Sequence, residues 1–356
     1  MLPKAILSSD SHIIEPPDLW TSRMPKRLHG SAPHLVHEKT ADWWHLQDTR
    51  LFSVTGGTEV GKRFDDMSNL RMESRYKDVR PGGYDPRAKL KDMDLDGVWG
   101  EVIYPTLGLT LWRVRDGKLL SLVSRYYNDW VADFIAADSK RLRAVAMINL
   151  DSVAEGVKEL ERCAALGLSG AMISVYQFGR TYALPGFERF WAAAAETGMP
   201  VSLHVGTNRT IPETQRMSAD TRVSPQNPFQ SQSSYVTAAH WVELSLADMI
   251  FAGVFERHPK LRVLSLEHEA AWAVHFLNAM DYTYTQRMQR TDWIRLKDGA
   301  LPSDFYRRNV SISIQEDATA LRLRDLIGVD NLSWGSDYPH LESTFPRSAS
   351  ITVSSR

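Results

Sequence analysis

From residue 86 onward, short apolar runs alternate with longer amphipathic stretches. Each run is rich in Val, Ile, Leu or Ser and is short enough to be a strand that is buried on both faces. An apolar run near the start completes a set of eight candidate strands, and seven of them are followed by a segment long enough for a helix. The eight candidates cover residues 4–9, 99–104, 142–150, 170–175, 200–205, 261–266, 309–314 and 331–335.

This alternation predicts parallel strands that are joined by right-handed helical crossovers. Three of the helices are predicted over residues 152–166, 185–197 and 238–257, each followed closely by Gly or by His-Pro. Eight strand–helix units predict an α/β fold of the TIM (β/α)8 barrel type, which places all eight strands around one core. A doubly wound open sheet is the alternative.

Two long segments interrupt the barrel pattern, and both would leave the carboxyl ends of strands, where barrel enzymes build their active sites. The first is an insertion after strand 1, over residues 13–85, in which residues 42–54 predict a β-hairpin with its turn near residues 47–49. The second, residues 206–237, is rich in Asn, Gln, Ser and Pro and predicts a long loop. We expect a single domain over residues 1–356, with a shortened C-terminus in which the eighth helix is missing or replaced.

Composition and charge exclude several classes of protein. Hydrophobic residues make up 43% and charged residues 24% of the chain, which is ordinary for a globular protein and excludes wholesale disorder. The net charge of −1 gives no support for a nucleic-acid or anionic-membrane partner. The single cysteine, Cys163, excludes an intramolecular disulfide and a Cys-rich zinc module. Since no apolar run approaches a membrane span or a signal-peptide core, we expect a cytoplasmic protein.

Four residues with metal-ligating side chains lie at predicted strand ends. Asp10 and His12 are two positions apart and therefore point to the same side of the first strand, while His204 ends the fifth strand and Asp337 follows the eighth. Singly, each has an ordinary structural interpretation, such as a turn cap or a core histidine. At one barrel mouth, however, two carboxylates and two imidazoles would repel or be costly to desolvate unless a cation satisfies them. We therefore predict one divalent metal ion with a coordination position left open.

Further candidates follow neighbouring strands. Glu267 and His268 leave the sixth strand together and are candidates for a general acid, although Glu267 could instead cap the next helix. Tyr104 and Thr106 leave the second strand at the same mouth, and His340 lies close to Asp337 in sequence; we predict that these three line the substrate pocket.

Other features suggest packing or assembly rather than chemistry. Trp43 and Trp44, on the predicted hairpin, are the pair of tryptophans least expected in the core. A barrel without its last helix would expose the apolar outer faces of strands one and eight, and the tail could cover them only as a strand, so we expect a homodimer. The arginines of the two long segments are expected to be solvated, with binding of a substrate carboxylate as the alternative; they are Arg63, Arg71, Arg75, Arg80 and Arg209.

Six segments, in this order, resemble the amidohydrolase superfamily and, within it, the amidohydrolase-related group that includes aminocarboxymuconate semialdehyde decarboxylase and the resorcylate-type decarboxylases. They read DSHIIEPPDLW, RPGGYDPRAKLKDMDLDGV, VIYPT, PVSLHVG, FERHPKLRVLSLE and WGSDYPH. The resemblance covers nearly the whole chain. It implies a metal-dependent TIM barrel that forms dimers, with ligands at positions 10, 12, 204 and 337.

Two positions depart from the pattern of that group. Many of its members carry His-x-His on the first strand, whereas this chain has Asp10 before His12, and the harder carboxylate ligand makes manganese plausible beside zinc. Members often have a histidine at the end of strand six that acts near the metal. The position that aligns with it is Glu267, followed by His268.

The resulting functional hypothesis is a metal-dependent carboxy-lyase, a decarboxylase that acts on a small aromatic or unsaturated carboxylic acid. Glu267 or His268 would protonate the carbon from which carbon dioxide leaves. A metal-dependent hydrolase of an ester, lactone or amide would use the same ligands, with Asp337 as the base for a metal-bound water. An inactive scaffold is the third hypothesis.

Overall fold

The computed structural model describes residues 5–47, 49–62, 70, 74–210, 233, 236–287 and 293–354. In this part of the chain the strands are β1 (Leu7–Ile13), β2 (His34–His37), β3 (Asp42–Leu46), β4 (Thr49–Ser53), β5 (Gly100–Pro105), β6 (Leu142–Met147), β7 (Gly170–Ile173), β8 (Gln177–Phe178), β9 (Val201–His204), β10 (Arg209–Thr210), β11 (Val263–Leu266), β12 (Val310–Ile314) and β13 (Leu332–Trp334). The α-helices are α1 (Leu19–Arg23), α2 (Pro86–Asp96), α3 (Leu107–Leu111), α4 (Gly117–Ile135), α5 (Val153–Ala165), α6 (Glu188–Thr197), α7 (Ala239–Phe251), α8 (Val254–Arg257), α9 (Trp272–Gln286), α10 (Pro302–Asn309), α11 (Ala318–Arg322), α12 (Arg324–Ile327) and α13 (Ser348–Ser354).

Eight parallel strands form one sheet in the order β1-β5-β6-β7-β9-β11-β12-β13, which is their order along the chain. Hydrogen bonds join its first and last strands: the Asp337 N–H donates to the Asp10 carbonyl at 3.1 Å, and the Ser9 hydroxyl donates to the Trp334 carbonyl at 3.0 Å. The predicted TIM barrel is confirmed. The first strand runs over Leu7–Ile13 rather than over 4–9, so Asp10 and His12 belong to the strand itself.

The predicted helices form where their capping residues indicate. The Ser152 hydroxyl accepts a hydrogen bond from the Glu155 N–H at the start of α5, and α6 ends at Gly198, whose φ of 70° is the left-handed conformation that glycine favours. The helix predicted over 238–257 is divided into α7 and α8 at Gly253, which also has a φ of 70°. Among the described residues, no helix is both long and apolar enough to span a bilayer.

The insertion after β1 contains a three-stranded antiparallel sheet of β2, β3 and β4, in which β3 and β4 occupy the region of the predicted hairpin. Trp44 was expected to lie outside the core, and this expectation was wrong. Its side chain is 1% exposed, and its ring packs edge to face against that of Trp20, with centroids 5.8 Å apart. The Trp20 indole N–H in turn donates to the Val123 carbonyl on α4 at 3.0 Å. Trp43 faces the other way, under the Arg50 guanidinium at 3.4 Å.

Asp42 fixes the start of β3 to the end of the insertion. Its buried carboxylate accepts hydrogen bonds from Arg75 Nη1 at 2.8 Å and the Tyr76 N–H at 2.9 Å, and lies 2.8 Å from His37 Nδ1. Burial alone would raise the pKa of Asp42, but these donors outweigh it and hold the pKa below its ordinary value of 3.8. The folded state therefore gains stability once this carboxyl ionises.

We expect Asp42→Asn to lower the free energy of unfolding by about 2 kcal/mol at pH 7, because two charge-assisted hydrogen bonds are weakened. The lowered pKa of Asp42 means that this deficit stays constant down to about pH 4 and shrinks as the pH falls further. Urea unfolding at several pH values measures it. His37→Ala, which removes only the exposed donor, is the matched control, and an Asp42→Asn deficit that does not change below pH 4 would contradict this account.

The tail forms the short helix α13, so the expectation that it could cover the barrel only as a strand was wrong. The physical reason lies at its first residue. The Ser348 N–H and hydroxyl both donate to the carboxylate of Asp96, at 2.9 and 2.6 Å, and thereby attach this helix to the end of α2. Of the predicted long loop 206–237, residues 211–232 and 234–235 lie outside the described residues, as do Arg63, Arg71 and the turn residue Asp48.

Candidate metal centre

The barrel brings together the four side chains that were predicted as metal ligands. Asp10 and His12 project from β1, His204 is the last residue of β9, and Asp337 follows β13. His12 Nε2 lies 3.6 Å from Asp10 Oδ1 and 3.5 Å from Asp337 Oδ1, and His204 Nε2 lies 3.7 Å from Asp10 Oδ1. Their ligating atoms therefore face a common space.

Glu267, the residue after β11, reaches the same space. Its Oε1 lies 3.1 Å from His12 Nε2 and 3.7 Å from His204 Nε2. The potential ligand atoms of Asp10, His12, His204 and Glu267 all lie within 4.8 Å of one another. The sequence predicted Glu267 as a general acid or as the cap of the next helix, whereas the geometry also makes it a potential ligand.

Hydrogen bonds on the far side of both imidazoles fix their orientation. His12 Nδ1 lies 2.9 Å from the Pro105 carbonyl, and His204 Nδ1 lies 3.0 Å from the Val205 carbonyl. A carbonyl can only accept, so in the neutral form each Nδ1 carries the proton and each Nε2 presents a lone pair. A hydrogen bond from the outer ring nitrogen to a carbonyl is usual for a metal-ligating histidine.

Two of the central atoms need a partner that the described residues do not supply. Asp10 Oδ1 and His204 Nε2 are buried and have no hydrogen-bond partner within the part of the chain that the structure describes. Leaving a buried carboxylate oxygen unsatisfied is costly. Oxygen and nitrogen donors around one point suit a divalent cation, so the residues present fit a metal ion.

The charged groups of the cluster lie so close together that they shift one another's pKa values. Burial alone would lower the pKa of His204, but the carboxylates of Glu267 and Asp10 outweigh it and raise the pKa to about 9. Burial and the negative charge of Glu267 raise the pKa of Asp337 well above its usual value. Burial would also raise the pKa of Glu267, yet His204 and His12 hold it well below the usual value.

The backbone is strained at two of these residues. Glu267 has a φ of 56° and Asp337 a φ of 55°, a left-handed conformation that residues other than glycine rarely adopt. Close packing also fixes the approach of β13 to β1, because a Cβ placed on Gly335 would lie 2.6 Å from Asp10 Cβ. Strain of this kind is often found at functional sites.

A cavity of about 570 Å³ opens beside the cluster, and its wall includes Glu267, His268, Asp337, Thr106 and His340. Thr106 and His340 thus lie where the sequence predicted them. His340 Nδ1 is 2.7 Å from Asp337 Oδ1, its Nε2 is 2.8 Å from Thr106 Oγ1, and its ring stacks on that of His12 with centroids 4.1 Å apart.

The prediction that Tyr104 lines the substrate pocket was wrong. Its side chain is fully buried and is not part of the cavity wall; its hydroxyl lies 2.8 Å from Ser202 Oγ on β9, and its ring is 5.4 Å from that of His204. Because Tyr104 is the register partner of His12 on the neighbouring strand, its side chain packs inside the barrel, beside the histidines.

His268 lines the cavity as a buried imidazole. Its Nδ1 lies 3.1 Å from Ser265 Oγ, and its Nε2 has no hydrogen-bond partner among the described residues. Burial lowers the pKa of His268 to about 3, so the ring is neutral at pH 7. Glu267 does not cap the following helix; the amides of Ala270 and Ala271, just before α9, donate to Asp317 instead.

The sequence profile described as Amidohydrolase matches residues 113–353, which is more than half of the chain. The chain belongs to the amidohydrolase family.

Individual relatives extend this likeness. A 2-amino-3-carboxymuconate-6-semialdehyde decarboxylase from Dictyostelium discoideum is 22% identical over 315 residues, which cover 85% of this chain and 80% of the relative. The crystal structure of an amidohydrolase from Mycobacterium avium subsp. paratuberculosis K-10 matches with a TM-score of 0.77 and 20% identity, over 99% of this chain and 93% of the other. A dihydroxybenzoic acid decarboxylase from Polaromonas sp. JS666, with bound manganese and the inhibitor 2-nitroresorcinol, matches with a TM-score of 0.61 and 15% identity, over 98% and 90%.

Behind the candidate metal centre of this amidohydrolase lies a buried ion pair that the sequence did not predict. Lys89 Nζ, on α2, lies 2.9 Å from Glu101 Oε2 and donates to the His12 carbonyl at 3.0 Å. Glu101 also accepts a hydrogen bond from the Ser11 hydroxyl at 2.8 Å. The available signal was the spacing of charged residues at positions 89, 92 and 96, which places three of them on one helix face.

A second pair supports the segment that carries Asp337. Arg80 donates to both carboxylate oxygens of Asp92, at 2.7 and 2.6 Å, and the Tyr338 hydroxyl donates to the same carboxylate at 2.5 Å. Glu15 plays a similar part on the other side, because its carboxylate accepts from the Leu107 N–H at 2.8 Å and thereby fixes the start of α3, next to Thr106.

The expectation of solvated arginines was wrong for Arg209, which is fully buried. Its guanidinium binds both carboxylate oxygens of Asp151 and the carbonyls of Trp112 and Val114. Arg209 thus joins the segments that follow β5, β6 and β9, and its charge has no capacity left for a substrate. Arg75 and Arg80 are likewise paired, with Asp42 and Asp92.

Proposed function

We propose that this amidohydrolase is a metal-dependent decarboxylase of a small aromatic or unsaturated carboxylic acid. The observation that carries the proposal is that the potential ligand atoms of Asp10, His12, His204 and Glu267 lie within 4.8 Å of one another, beside a cavity whose wall includes Glu267, His268 and Asp337. The volume of about 570 Å³ suits a substrate with a single ring. The names of the Dictyostelium and Polaromonas relatives, both decarboxylases, support this choice of reaction.

The proposed metal ligands are Asp10, His12, His204 and Asp337. When bound there, a divalent ion would supply the positive charge that holds substrate oxygens and stabilises negative charge on them. Zinc is the first choice from the sequence and manganese the alternative. The carboxylate of Asp10 and the manganese in the Polaromonas structure support the alternative.

Glu267 is proposed as the group that carries the proton. His204 must be neutral to act as a ligand, whereas in the unligated cluster its raised pKa keeps it protonated at pH 7. Asp10 Oδ1 and Glu267 Oε1 both lie 3.7 Å from His204 Nε2, and of the two residues only Glu267 lines the cavity. We therefore assign the proton to Glu267. Burial by itself favours the protonated form of Glu267, and this effect remains when His204 and His12 are neutral. Glu267 lines the cavity and can therefore present that proton to the substrate.

The decarboxylation step balances with this single proton. The bond between the substrate carbon and its carboxylate carbon breaks, carbon dioxide leaves, and the electron pair stays on the substrate carbon. That carbon then takes the proton of Glu267, and water entering the cavity reprotonates Glu267 before the next turnover. His268 is neutral because burial lowers its pKa to about 3. Its Nε2, which has no hydrogen-bond partner among the described residues, is placed to hydrogen-bond the substrate.

We also propose that the protein is a homodimer and that it is cytoplasmic. Both proposals come from the sequence. Light scattering at micromolar protein concentration measures the first of these. A monomeric mass for the metal-loaded, folded protein would contradict the dimer.

The reaction is tested by carbon dioxide release from a panel of hydroxylated benzoic acids, with protein loaded with manganese or zinc and with chelator-treated protein. We expect release only from the metal-loaded protein. Asp10→Asn should abolish it, while Asp133→Asn, an exposed aspartate paired with Arg23, should not. Hydrolysis of an ester or lactone panel without carbon dioxide release would favour the hydrolase, and no turnover on either panel would favour the inactive scaffold.

A further inference from the structure

A buried carboxylate lies close to the candidate metal centre without belonging to it. Glu15 follows the end of β1, three residues beyond His12, and its side chain is fully buried. Its Oε2 accepts a hydrogen bond from the Leu107 N–H at 2.8 Å, and its Oε1 accepts one from the Gly108 N–H at 3.0 Å. Both oxygens are therefore engaged, and each holds one amide at the start of α3.

The segment that Glu15 holds also orients a proposed metal ligand. The Pro105 carbonyl, at the end of β5, lies 2.9 Å from His12 Nδ1 and accepts its hydrogen bond. The amides that Glu15 binds belong to residues 107 and 108, so they follow this carbonyl closely along the chain. The ends of β1 and β5 are thus joined at two points, one through His12 and one through Glu15. We call this pair of contacts the β1–β5 clamp.

Close packing couples the two points of the clamp. A Cβ placed on Gly108 would lie 2.4 Å from Pro105 Cβ and 2.7 Å from Met147 Sδ, so the turn has no free space on this side. A displacement of the Gly108 amide would therefore be transmitted to Pro105 and its carbonyl. Because that carbonyl keeps the proton of His12 on Nδ1, its displacement would also disturb the lone pair that Nε2 presents to the metal.

The charge of Glu15 changes near neutral pH. Burial raises the pKa of Glu15 to about 7, although the backbone amides that it binds favour the ionised form. The titratable residues that face it, within the described part of the chain, are Tyr76 and Tyr127, and burial raises the pKa of both, so they stay neutral. Above pH 7 both oxygens of Glu15 are free of protons and accept, whereas below pH 7 one of them carries a proton.

We propose that Glu15 is a positioning residue for the metal centre: by holding the start of α3 it fixes the Pro105 carbonyl and, through this carbonyl, the orientation of His12. Glu15 itself touches neither the metal nor the substrate. This inference rests on the proposed role of His12 as a metal ligand, but it concerns metal affinity and does not require turnover.

The test measures the affinity for zinc and for manganese by competition with a chelating dye. Glu15→Gln keeps the shape of the side chain but replaces one acceptor by an NH2 group that faces a backbone N–H. At pH 8 we expect this variant to bind metal about 10-fold more weakly, the lower end of the range for residues that support a metal ligand. The loss should be smaller at pH 6, where Glu15 is itself protonated in the wild-type protein.

Asp42→Asn is the matched control, because Asp42 is another buried carboxylate of the insertion that accepts a backbone amide, that of Tyr76. It should leave the metal affinity unchanged at both pH values, although it lowers stability. A general loss of stability would weaken metal binding in both variants, whereas a loss confined to the clamp affects Glu15→Gln alone.

A second readout follows His12 directly. In protein that carries isotope-labelled histidine, with and without zinc, NMR of the ring nitrogens reports whether His12 Nδ1 holds a hydrogen-bonded proton. We expect Glu15→Gln to shift the ring signals of His12 and to leave those of His258, just after α8, unchanged.

Several results would overturn the inference. They are an affinity of Glu15→Gln equal to that of the wild type at pH 8, a loss that is the same at pH 6 and pH 8, an equal loss in Asp42→Asn, or unchanged His12 signals. If Glu15→Gln does not fold, Glu15→Asp decides: it keeps the charge but is one methylene shorter, and an unchanged affinity would likewise contradict the proposal.

The outcomes also separate this inference from the proposed function. If carbon dioxide release fails while the Glu15-dependent metal affinity persists, the decarboxylase proposal is wrong and the role of Glu15 stands. If the wild-type protein binds neither metal, the proposed ligands are wrong, and the His12 signals of the metal-free protein then decide whether Glu15 positions this ring.

Discussion

His204→Ala is expected to remove the bound metal ion and to lower activity at least 100-fold. Loss of a residue that only hydrogen-bonds a metal ligand already costs about 10- to 100-fold in metal affinity or activity, and loss of a ligand itself should exceed this range. His204 is fully buried at the end of β9, and its Nε2 has no other partner among the described residues. Elemental analysis of protein purified without chelator, together with carbon dioxide release, measures both effects.

A matched control is His258→Ala. His258 Nε2 lies 2.7 Å from Glu188 Oε1, and this pair connects the end of α8 with α6 away from the metal centre. This variant should keep its metal and its activity. Full metal occupancy in His204→Ala would show that His204 is not a ligand.

Lys89→Met is expected to lower the free energy of unfolding by about 3–5 kcal/mol, the cost of leaving one partner of a buried ion pair without the other. Lys89 and Glu101 are both buried, and the pair also supports the carbonyl of His12. Methionine keeps the volume and the linear shape of the lysine side chain, so the effect reports the charge rather than a cavity. Guanidinium unfolding followed by tryptophan fluorescence measures it.

Two further variants define what that result means. Lys91→Met, on the exposed side of the same helix, should change stability by less than about 0.5 kcal/mol. The double variant Lys89→Met/Glu101→Gln should recover part of the loss, because the uncompensated charge is then removed. Equal stability of Lys89→Met and Lys91→Met would contradict a structural role for the pair.

The barrel and its ligand cluster could be predicted because both follow from local sequence. Buried parallel strands are nearly continuous apolar runs, and their carboxyl ends must meet at one mouth, so the approximate positions of Asp10, His12, His204 and Asp337 follow from the strand pattern alone. Each of these residues singly had an ordinary structural explanation. The metal was predicted because two carboxylates and two imidazoles would meet at one barrel mouth.

The predictions that were wrong concern side chains whose surroundings come from distant parts of the chain. Trp44 is buried because the insertion packs its own sheet against Trp20, which the hairpin sequence does not reveal. Arg209 is buried because Asp151 and two carbonyls, all from other segments, converge on it. Tyr104 has its hydroxyl satisfied by Ser202, almost a hundred positions along the chain, and so packs inside the barrel instead of lining the cavity.

The role of Glu267 shows a different limit. Its position at a strand end was predicted, but the left-handed backbone that directs its carboxylate to 3.1 Å from His12 Nε2 was not. Positive φ at a glutamate has no sequence signal of the kind that glycine provides. Residues that follow a strand can therefore be located from sequence, while the direction of their side chains needs the structure.

The central claim is that Asp10, His12, His204 and Asp337 hold one divalent ion. The most direct measurement is anomalous diffraction, above and below the manganese and zinc absorption edges, from crystals of protein purified without chelator. We predict one peak at the barrel mouth, with ligand atoms of these four residues at about 2.0–2.3 Å from it. No peak at the mouth in crystals soaked with either metal, or a peak that these four side chains do not surround, would contradict the account.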